Sequence, residues 1–137
     1  MENTRVQSIM PKQIMVVDDS PTIRSSVSFC LRNAGYAVAE AKDGVDALER
    51  LVALKEQGIT PVLILTDINM PRMDGIAFIG RLKQEADYQF LPILVLTTES
   101  EHGMIEKGRS AGASGWIIKP FRPEQLLAAI KKLVWTK

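Results

Sequence analysis

Four apolar runs in the sequence are each followed at once by residues that could take part in chemistry. Asp18 and Asp19 follow the first run, Asp67 follows another, and Thr97 and Lys119 lie at the ends of the last two. Carboxylates crowded at one place repel one another, so they need positive charge nearby. A divalent cation together with the lysine would supply that charge, and an oxygen-rich site without histidine or cysteine suits Mg²⁺.

These side chains together are equipped to transfer a phosphoryl group to a carboxylate. Asp67 would attack as the nucleophile and become an acyl phosphate. The metal ion would neutralise oxygens of the incoming group, while Lys119 offers a further positive charge and Thr97 a hydroxyl donor. Taken singly, Asp18 and Asp19 could be a helix-capping pair and Lys119 a solvated lysine. Their common place at the ends of apolar runs favours a site.

The elements that must position these residues follow from the apolar pattern and from helix start signals. We predict strands over residues 13–17, 36–41, 62–66, 92–97 and 115–118. Helix starts are indicated by Ser20 with Pro21, by Asp43, by Asp74 with Gly75, by Ser100 and by Pro123. Five strands alternating with five helices predict an α/β fold with a parallel sheet and helices on both faces. The carboxyl ends of parallel strands meet at one edge, where such sheets bind ligands.

Apolar spacing also predicts which helix faces are buried. In the second helix the expected face is Val45, Leu48, Leu51 and Val52, and in the last it is Leu126, Leu127, Ile130, Leu133 and Val134. Cys30 is expected to be a core thiol on the first helix. The fourth helix contains Gly103 and Gly108, which cost about 1 kcal/mol each relative to alanine and predict an easily remodelled segment. His102 is expected to be a surface residue of that helix.

Length and composition limit the class of protein. The chain has 137 residues, 46% of them hydrophobic and 24% charged, with a net charge of +1, which fits one globular domain without a broad nucleic-acid or membrane footprint. The single cysteine excludes an internal disulfide and fits a reducing compartment. Neither a signal peptide nor a membrane-spanning run is visible. We expect a cytoplasmic protein with a loose tail over residues 1–12 and one domain over 13–137.

A spaced set of motifs carries a resemblance to a known family. It consists of Asp18-Asp19, Asp67 with Met70-Pro71 and Asp74-Gly75 after it, Thr97, and Gly112-Ala113-Ser114-Gly115 leading to Lys119-Pro120-Phe121. With this set the chain, from about Lys12 onward, resembles the receiver domains of two-component response regulators. The resemblance is greatest to single-domain chemotaxis regulators of the CheY type.

This resemblance implies a fold, a cofactor and a phosphoryl donor. The fold would be flavodoxin-like, (βα)5, with strand order 2-1-3-4-5. Mg²⁺ would be bound by Asp19, Asp67 and the backbone carbonyl of Asn69, with Asp18 acting partly through water. Asp67 would be the phosphoacceptor, and the donor would be a phosphohistidine on a sensor histidine kinase of the chemotaxis type. The Lys119–Pro120 bond would be cis.

The resemblance also implies a switch. Thr97 would move towards the phosphoryl group together with an aromatic residue, which is usually Tyr or Phe but here is Trp116, whose bulk could restrict the inward rotamer. The output face would comprise the fourth helix, fifth strand and fifth helix, with Lys107, Arg109, Trp116, Lys131 and Lys132 as exposed candidates. Asn69 and Glu99 would influence the rate of dephosphorylation, which we expect to be fast.

The partners implied are the kinase, a flagellar motor switch protein or another output protein, and a phosphatase, without direct nucleic-acid binding or membrane insertion. Such a protein catalyses its own phosphorylation and dephosphorylation but is mainly a signalling switch. One alternative is a phosphorelay intermediate that passes its phosphoryl group to another histidine protein. Another is a small aspartyl-phosphate hydrolase, although that class would want a second acid where this chain has Asn69. A flavin-binding module is disfavoured because Asp18 and Asp19 would repel a phosphate.

Overall fold

The computed structural model describes residues 11–134, in which strands and helices alternate along the chain. The strands are β1 (Gln13–Val17), β2 (Ala37–Ala41), β3 (Leu63–Thr66), β4 (Ile93–Thr97) and β5 (Gly115–Ile118). The helices are α1 (Pro21–Asn33), α2 (Gly44–Glu56), α3 (Gly75–Lys83), α4 (His102–Ala111) and α5 (Pro123–Leu133). Three strands begin one residue later than predicted. The predicted tail lies outside the described residues except for Pro11 and Lys12.

All five strands pair in parallel in the order β2-β1-β3-β4-β5, which confirms the predicted fold. The register aligns Val17 with Thr66 on β3, and Thr97 with Ile118 on β5. The residues that follow these strands therefore emerge at the same edge of the sheet. That edge holds all five residues singled out by their chemistry: four of them follow a strand, and Thr97 is the last residue of its strand.

The sheet is buried on both faces, which explains its nearly continuous apolar strands. On one face Met15 and Ile64 pack with Phe78 and Ile79 of α3. On the other, Ile14 and its neighbours pack with α1 and α5 in a second cluster. Within the described residues, no helix is long and apolar enough to cross a bilayer.

Two core predictions were wrong in detail. Val52 is 59% exposed because it lies about 100° around α2 from Leu51, outside the face that Ala47 and Leu51 bury. Cys30 is only partly buried, at the side of α1 rather than in the core. Leu126, Ile130 and Val134 are buried as predicted, and Leu127 and Leu133 are half-buried.

Three helices have the predicted side-chain caps. Ser20, Asp43 and Asp74 each accept a hydrogen bond from a backbone N–H in the first turn of α1, α2 and α3. The Ser100 prediction was wrong, because α4 begins one residue too late for it. Glu101 occupies the N-cap position of α4 without a side-chain hydrogen bond. Helix α4 thus lacks a stabilising interaction that α1 has.

Candidate functional site

Asp67 directly follows β3, and the surrounding backbone fixes its position. Its N–H donates to the Val17 carbonyl at 3.0 Å, and its Oδ1 accepts from the Ile68 N–H at 2.6 Å. Gly75 packs so closely that a Cβ there would collide with the Asp67 carbonyl oxygen. Only glycine allows α3 to begin at this point. One carboxylate oxygen of Asp67 is therefore held by the backbone, and the other, Oδ2, is contacted by the Lys119 ammonium.

Lys119, which follows β5, reaches two carboxylates across the edge of the sheet. Its Nζ lies 2.8 Å from Asp18 Oδ2 and 3.1 Å from Asp67 Oδ2, and its side chain is 12% exposed. Burial by itself lowers the pKa of Lys119, but the hydrogen bonds and negative charges of Asp18 and Asp67 raise that pKa above its usual value. The lysine is therefore charged at neutral pH. The Lys119–Pro120 bond is cis.

Asp18, Asp19 and Asp67 form a cluster whose ligand oxygens all lie within 4.8 Å of one another. Asp18 is buried, and its oxygens are already engaged by Lys119 Nζ and by the Ser20 N–H at 2.9 Å. Asp19 is exposed, and its carboxylate makes no hydrogen bond or ion pair with the residues that the structure describes.

This donor set fits a divalent cation. Three carboxylates against one lysine leave two negative charges uncompensated, and hard oxygen ligands with access to water suit Mg²⁺. Asp19 has the carboxylate best placed to bind a metal directly, because both oxygens of Asp18 and both oxygens of Asp67 already accept a hydrogen bond. The cluster contains the three carboxylates that the family resemblance implies for the metal site, Asp18, Asp19 and Asp67.

Glu99 connects several of the predicted residues. Thr97, fully buried at the end of β4, accepts a hydrogen bond through Oγ1 from the Glu99 N–H at 3.2 Å. Asn69 Nδ2 donates to Glu99 Oε2 at 3.1 Å, so the loops after β3 and β4 are in contact. Trp116 Nε1 donates to the Glu99 carbonyl at 2.9 Å. The loop after β4 is therefore tied to Thr97, Asn69 and Trp116 together.

Trp116 is half-buried, which differs from the exposed position predicted for it. Its ring lies against Gly108 of α4, where a Cβ would collide with the indole, and the side chain packs against the core cluster that contains Phe78. The indole can lie over α4 only because residue 108 is a glycine. The other predicted surface residues are exposed: Lys107, Arg109, Lys131 and Lys132. His102 is also exposed, as predicted.

Sequence reasoning missed an ion pair beside the site. Arg72, in the loop between β3 and α3, donates from Nε to Asp43 Oδ2 at 2.9 Å and from Nη2 to Asp43 Oδ1 at 3.0 Å. The sequence identified Asp43 only as a helix cap. No local signal joins residues 29 positions apart, so this contact could be found only from the fold.

A cavity of about 480 Å³ next to the site was also missed. It lies between α1 and the segment leading into α5, and its apolar wall includes Val27, Phe121 and Leu126. Cys30 and Lys119 also line it. The cavity exists because segments far apart in sequence meet there, which no local pattern reveals.

The chain is similar to known proteins over most of its length. The family model for the response regulator receiver domain matches residues 14–131. The transcriptional regulatory protein PdtaR of Mycobacterium tuberculosis is 35% identical over 132 residues, covering 96% of this chain and 60% of PdtaR. This chain therefore spans less than two thirds of that relative.

Two chemotaxis proteins match over nearly their whole length. The chemotaxis protein CheY1 of Helicobacter pylori is 35% identical over 125 residues, covering 90% of this chain and 98% of CheY1. The solved structure of the Vibrio cholerae chemotaxis protein CheY4 superposes with a TM-score of 0.81 at 40% identity, covering 90% of this chain and 98% of that one.

Proposed function

The chain belongs to the response regulator receiver domain family, and from that premise we propose that it is a cytoplasmic phosphoacceptor of a two-component system, with residues 13–137 forming the domain. A sensor histidine kinase would supply the phosphoryl group and Asp67 would accept it. One observation carries this proposal above all. Asp67 Oδ2 lies 3.1 Å from the Lys119 ammonium, within a cluster of three carboxylates.

The reaction transfers a phosphoryl group between two side chains. An oxygen of Asp67 attacks phosphorus, the P–N bond to the kinase histidine breaks, and the electron pair of that bond returns to the imidazole. The backbone N–H of Ile68 holds one oxygen of the nucleophile at 2.6 Å, so the carboxylate needs little reorientation before attack. Lys119 already lies beside the other oxygen and stabilises negative charge that develops on the phosphoryl group.

Mg²⁺ would be held by Asp19, Asp67 and the backbone carbonyl of Asn69, with Asp18 contributing partly through water. When bound, it would neutralise negative charge on the phosphoryl oxygens. Asp19 is suited to this role because its exposed carboxylate has no other partner among the described residues.

The loop after β4 would change position in response to the phosphoryl group. Thr97 Oγ1 now accepts from the Glu99 N–H, and turning the hydroxyl to donate to a phosphoryl oxygen would draw that loop inward. Because Trp116 holds the Glu99 carbonyl, the movement would reach α4 and β5 through the indole. The exposed cations Lys107, Arg109, Lys131 and Lys132 would then lie on the face offered to an output protein, which we propose also includes Trp116.

Chemotaxis is the pathway we propose, because two relatives that match over nearly their whole length are chemotaxis proteins. The kinase would then be of the chemotaxis type and the output partner a flagellar motor switch protein. Asn69 lies two residues after the acceptor and is hydrogen-bonded to Glu99, and this pair would influence the approach of water and of a phosphatase. Fast self-dephosphorylation would suit such a pathway.

The proposal is tested with acetyl phosphate and Mg²⁺, measuring the mass of the intact protein. We expect uptake of one phosphoryl group that requires Mg²⁺ and is lost in Asp67→Asn. Asp87→Asn is a matched control, because Asp87 forms a surface ion pair with Lys55 away from the site. Uptake that survives Asp67→Asn, or absence of uptake in the unsubstituted chain, would contradict the proposal. Turnover of a simple phosphomonoester would favour a hydrolase instead.

A further inference from the structure

The loop between Asp67 and α3 contains a residue in an unusual conformation. Among the described residues, Arg72 is the only non-glycine residue with a positive φ, at 66°. Such a conformation is disfavoured for a residue with a side chain and persists only where the surroundings hold it. Here the bidentate pair of hydrogen bonds from Arg72 to Asp43 holds this conformation.

Asp43 is a rigid anchor for this arginine. Its side chain is 2% exposed, whereas that of Arg72 is 50% exposed. Asp43 Oδ1 also caps α2 by accepting from the Asp46 N–H at 2.8 Å, so the carboxylate cannot rotate without uncapping the helix. Two parallel N–H···O bonds from one guanidinium fix orientation as well as distance, which a lysine could not do.

The same loop is attached to α2 at a second point. The Met73 carbonyl accepts from the Gly44 N–H at 3.4 Å, and the Met73 side chain fills the space where a Cβ of Gly44 would lie. At its end the loop is closed by Gly75, whose N–H donates to the Ile68 carbonyl at 2.8 Å. Residues 68–75 are therefore held both at Asp67 and at the start of α2.

We propose that Arg72 is a positioning residue for the metal site: its contact with Asp43 holds the loop that carries Asn69 in the position required for binding Mg²⁺. Asn69 lies three residues before Arg72, between the two attachment points, and its side chain also donates a hydrogen bond to Glu99 Oε2. The proposal rests on the proposed function, because it assigns Asn69 the role of a backbone ligand. Neither Arg72 nor Asp43 would touch the metal or the phosphoryl group.

The test is calorimetric titration of the purified chain with MgCl₂ alone, without a phosphoryl donor. Arg72→Gly removes the guanidinium while keeping the positive φ accessible, and Asp43→Asn keeps an N-cap while removing the negative charge. We expect each to weaken Mg²⁺ binding by about tenfold, the lower end of the effect of removing a supporting contact around a metal ligand. Arg72→Lys should fail to restore the affinity, and the double variant should bind no more weakly than the weaker single variant.

Lys55→Ala is the matched control, because it removes a surface cation that is paired with another carboxylate, Asp87, at the opposite end of α2 from Asp43. Its Mg²⁺ affinity should equal that of the unsubstituted chain. Melting temperatures in EDTA separate positioning from general stability. Unchanged Mg²⁺ affinity in Arg72→Gly and Asp43→Asn, whatever their melting temperatures, would overturn the proposal.

The two proposals fail in different ways. A chain that binds Mg²⁺ but takes up no phosphoryl group would contradict the proposed function, while the affinities of the variants still decide the role of Arg72. A chain that binds no Mg²⁺ would overturn the role of Arg72 and the proposed metal site together.

Discussion

Lys119 supplies positive charge next to two of the three carboxylates of the acidic cluster. It is the only side-chain cation within 4.0 Å of Asp18 and Asp67 carboxylate oxygens in the part of the chain that the structure describes. The sequence predicted this residue because it directly follows a strand whose neighbours also end in polar residues. The sequence did not predict that Lys119 would contact both carboxylates, because side-chain reach depends on how β1, β3 and β5 are arranged.

Lys119→Met should slow phosphoryl uptake by about a hundredfold, since removing one preorganised donor from a transferring group has an effect of that size. The rate of phosphorylation by acetyl phosphate at saturating Mg²⁺ measures this. Lys55→Met serves as a control for loss of a surface charge. Equal rates for Lys119→Met and the unsubstituted chain would contradict the proposed role of the lysine.

Asp43 should make stability depend on acid pH. Its hydrogen bond to Arg72 is the largest influence on its pKa and lowers it, while burial works in the opposite direction. The lowered pKa means that the stabilising contribution is fully present above the unfolded carboxyl value of about 4 and is lost as pH falls through the lower folded value. The stability difference between the unsubstituted chain and Asp43→Asn, measured by urea unfolding, should shrink from pH 6 to pH 3. A constant difference would contradict this expectation.

At the scale of elements, α4 differs from the other helices on the same sheet. Like α5 it has no side-chain N-cap, but α4 alone combines this with two glycines within the helix, and only one of them has a packing role. A Cβ at Gly103 would meet nothing within 4 Å, whereas one at Gly108 would collide with Trp116. The sequence predicted the presence of both glycines in a helix. It could not distinguish them, because the indole arrives from β5.

The two glycines should respond oppositely to the same substitution. Gly103→Ala should stabilise the chain by up to about 1 kcal/mol and slow amide exchange in α4, because alanine favours helix and has room. Gly108→Ala should destabilise it and displace the indole, which would change Trp fluorescence. Unfolding free energies and amide exchange of α4 compared with α1 measure both. Equal effects of the two substitutions would contradict the packing described for Trp116.

For the whole molecule, the order of elements followed from the sequence, because apolar runs and helix caps alternate in a regular way. The spatial order of the strands did not follow from that pattern; it came with the family resemblance, and the structure confirms it. The missed features, namely the contact between Asp43 and Arg72 and the cavity beside Lys119, both join segments that are distant in the chain. Local sequence patterns carry no information about tertiary contacts between distant segments.

The acidic cluster should couple global stability to Mg²⁺. Asp19→Asn should raise the melting temperature in EDTA by roughly 3 °C, since like charges about 4 Å apart in water repel by about 1 kcal/mol. The same variant should gain little stability from Mg²⁺, while the unsubstituted chain should gain about 2.7 kcal/mol at a hundred times its dissociation constant. Thermal unfolding with and without Mg²⁺ measures both. A lower melting temperature for Asp19→Asn in EDTA would contradict the repulsion argument.

The cavity beside Lys119 has a practical consequence, because Cys30 on its wall is the only cysteine in the sequence. A thiol-reactive spin label or fluorophore would attach at a single position, a short distance from the acceptor site, without any engineered cysteine. Burial, followed by the negative charge of Glu124, raises the pKa of the Cys30 thiol, so labelling should proceed faster in mildly alkaline buffer than at neutral pH. The native chain thus already carries an attachment point for spectroscopy.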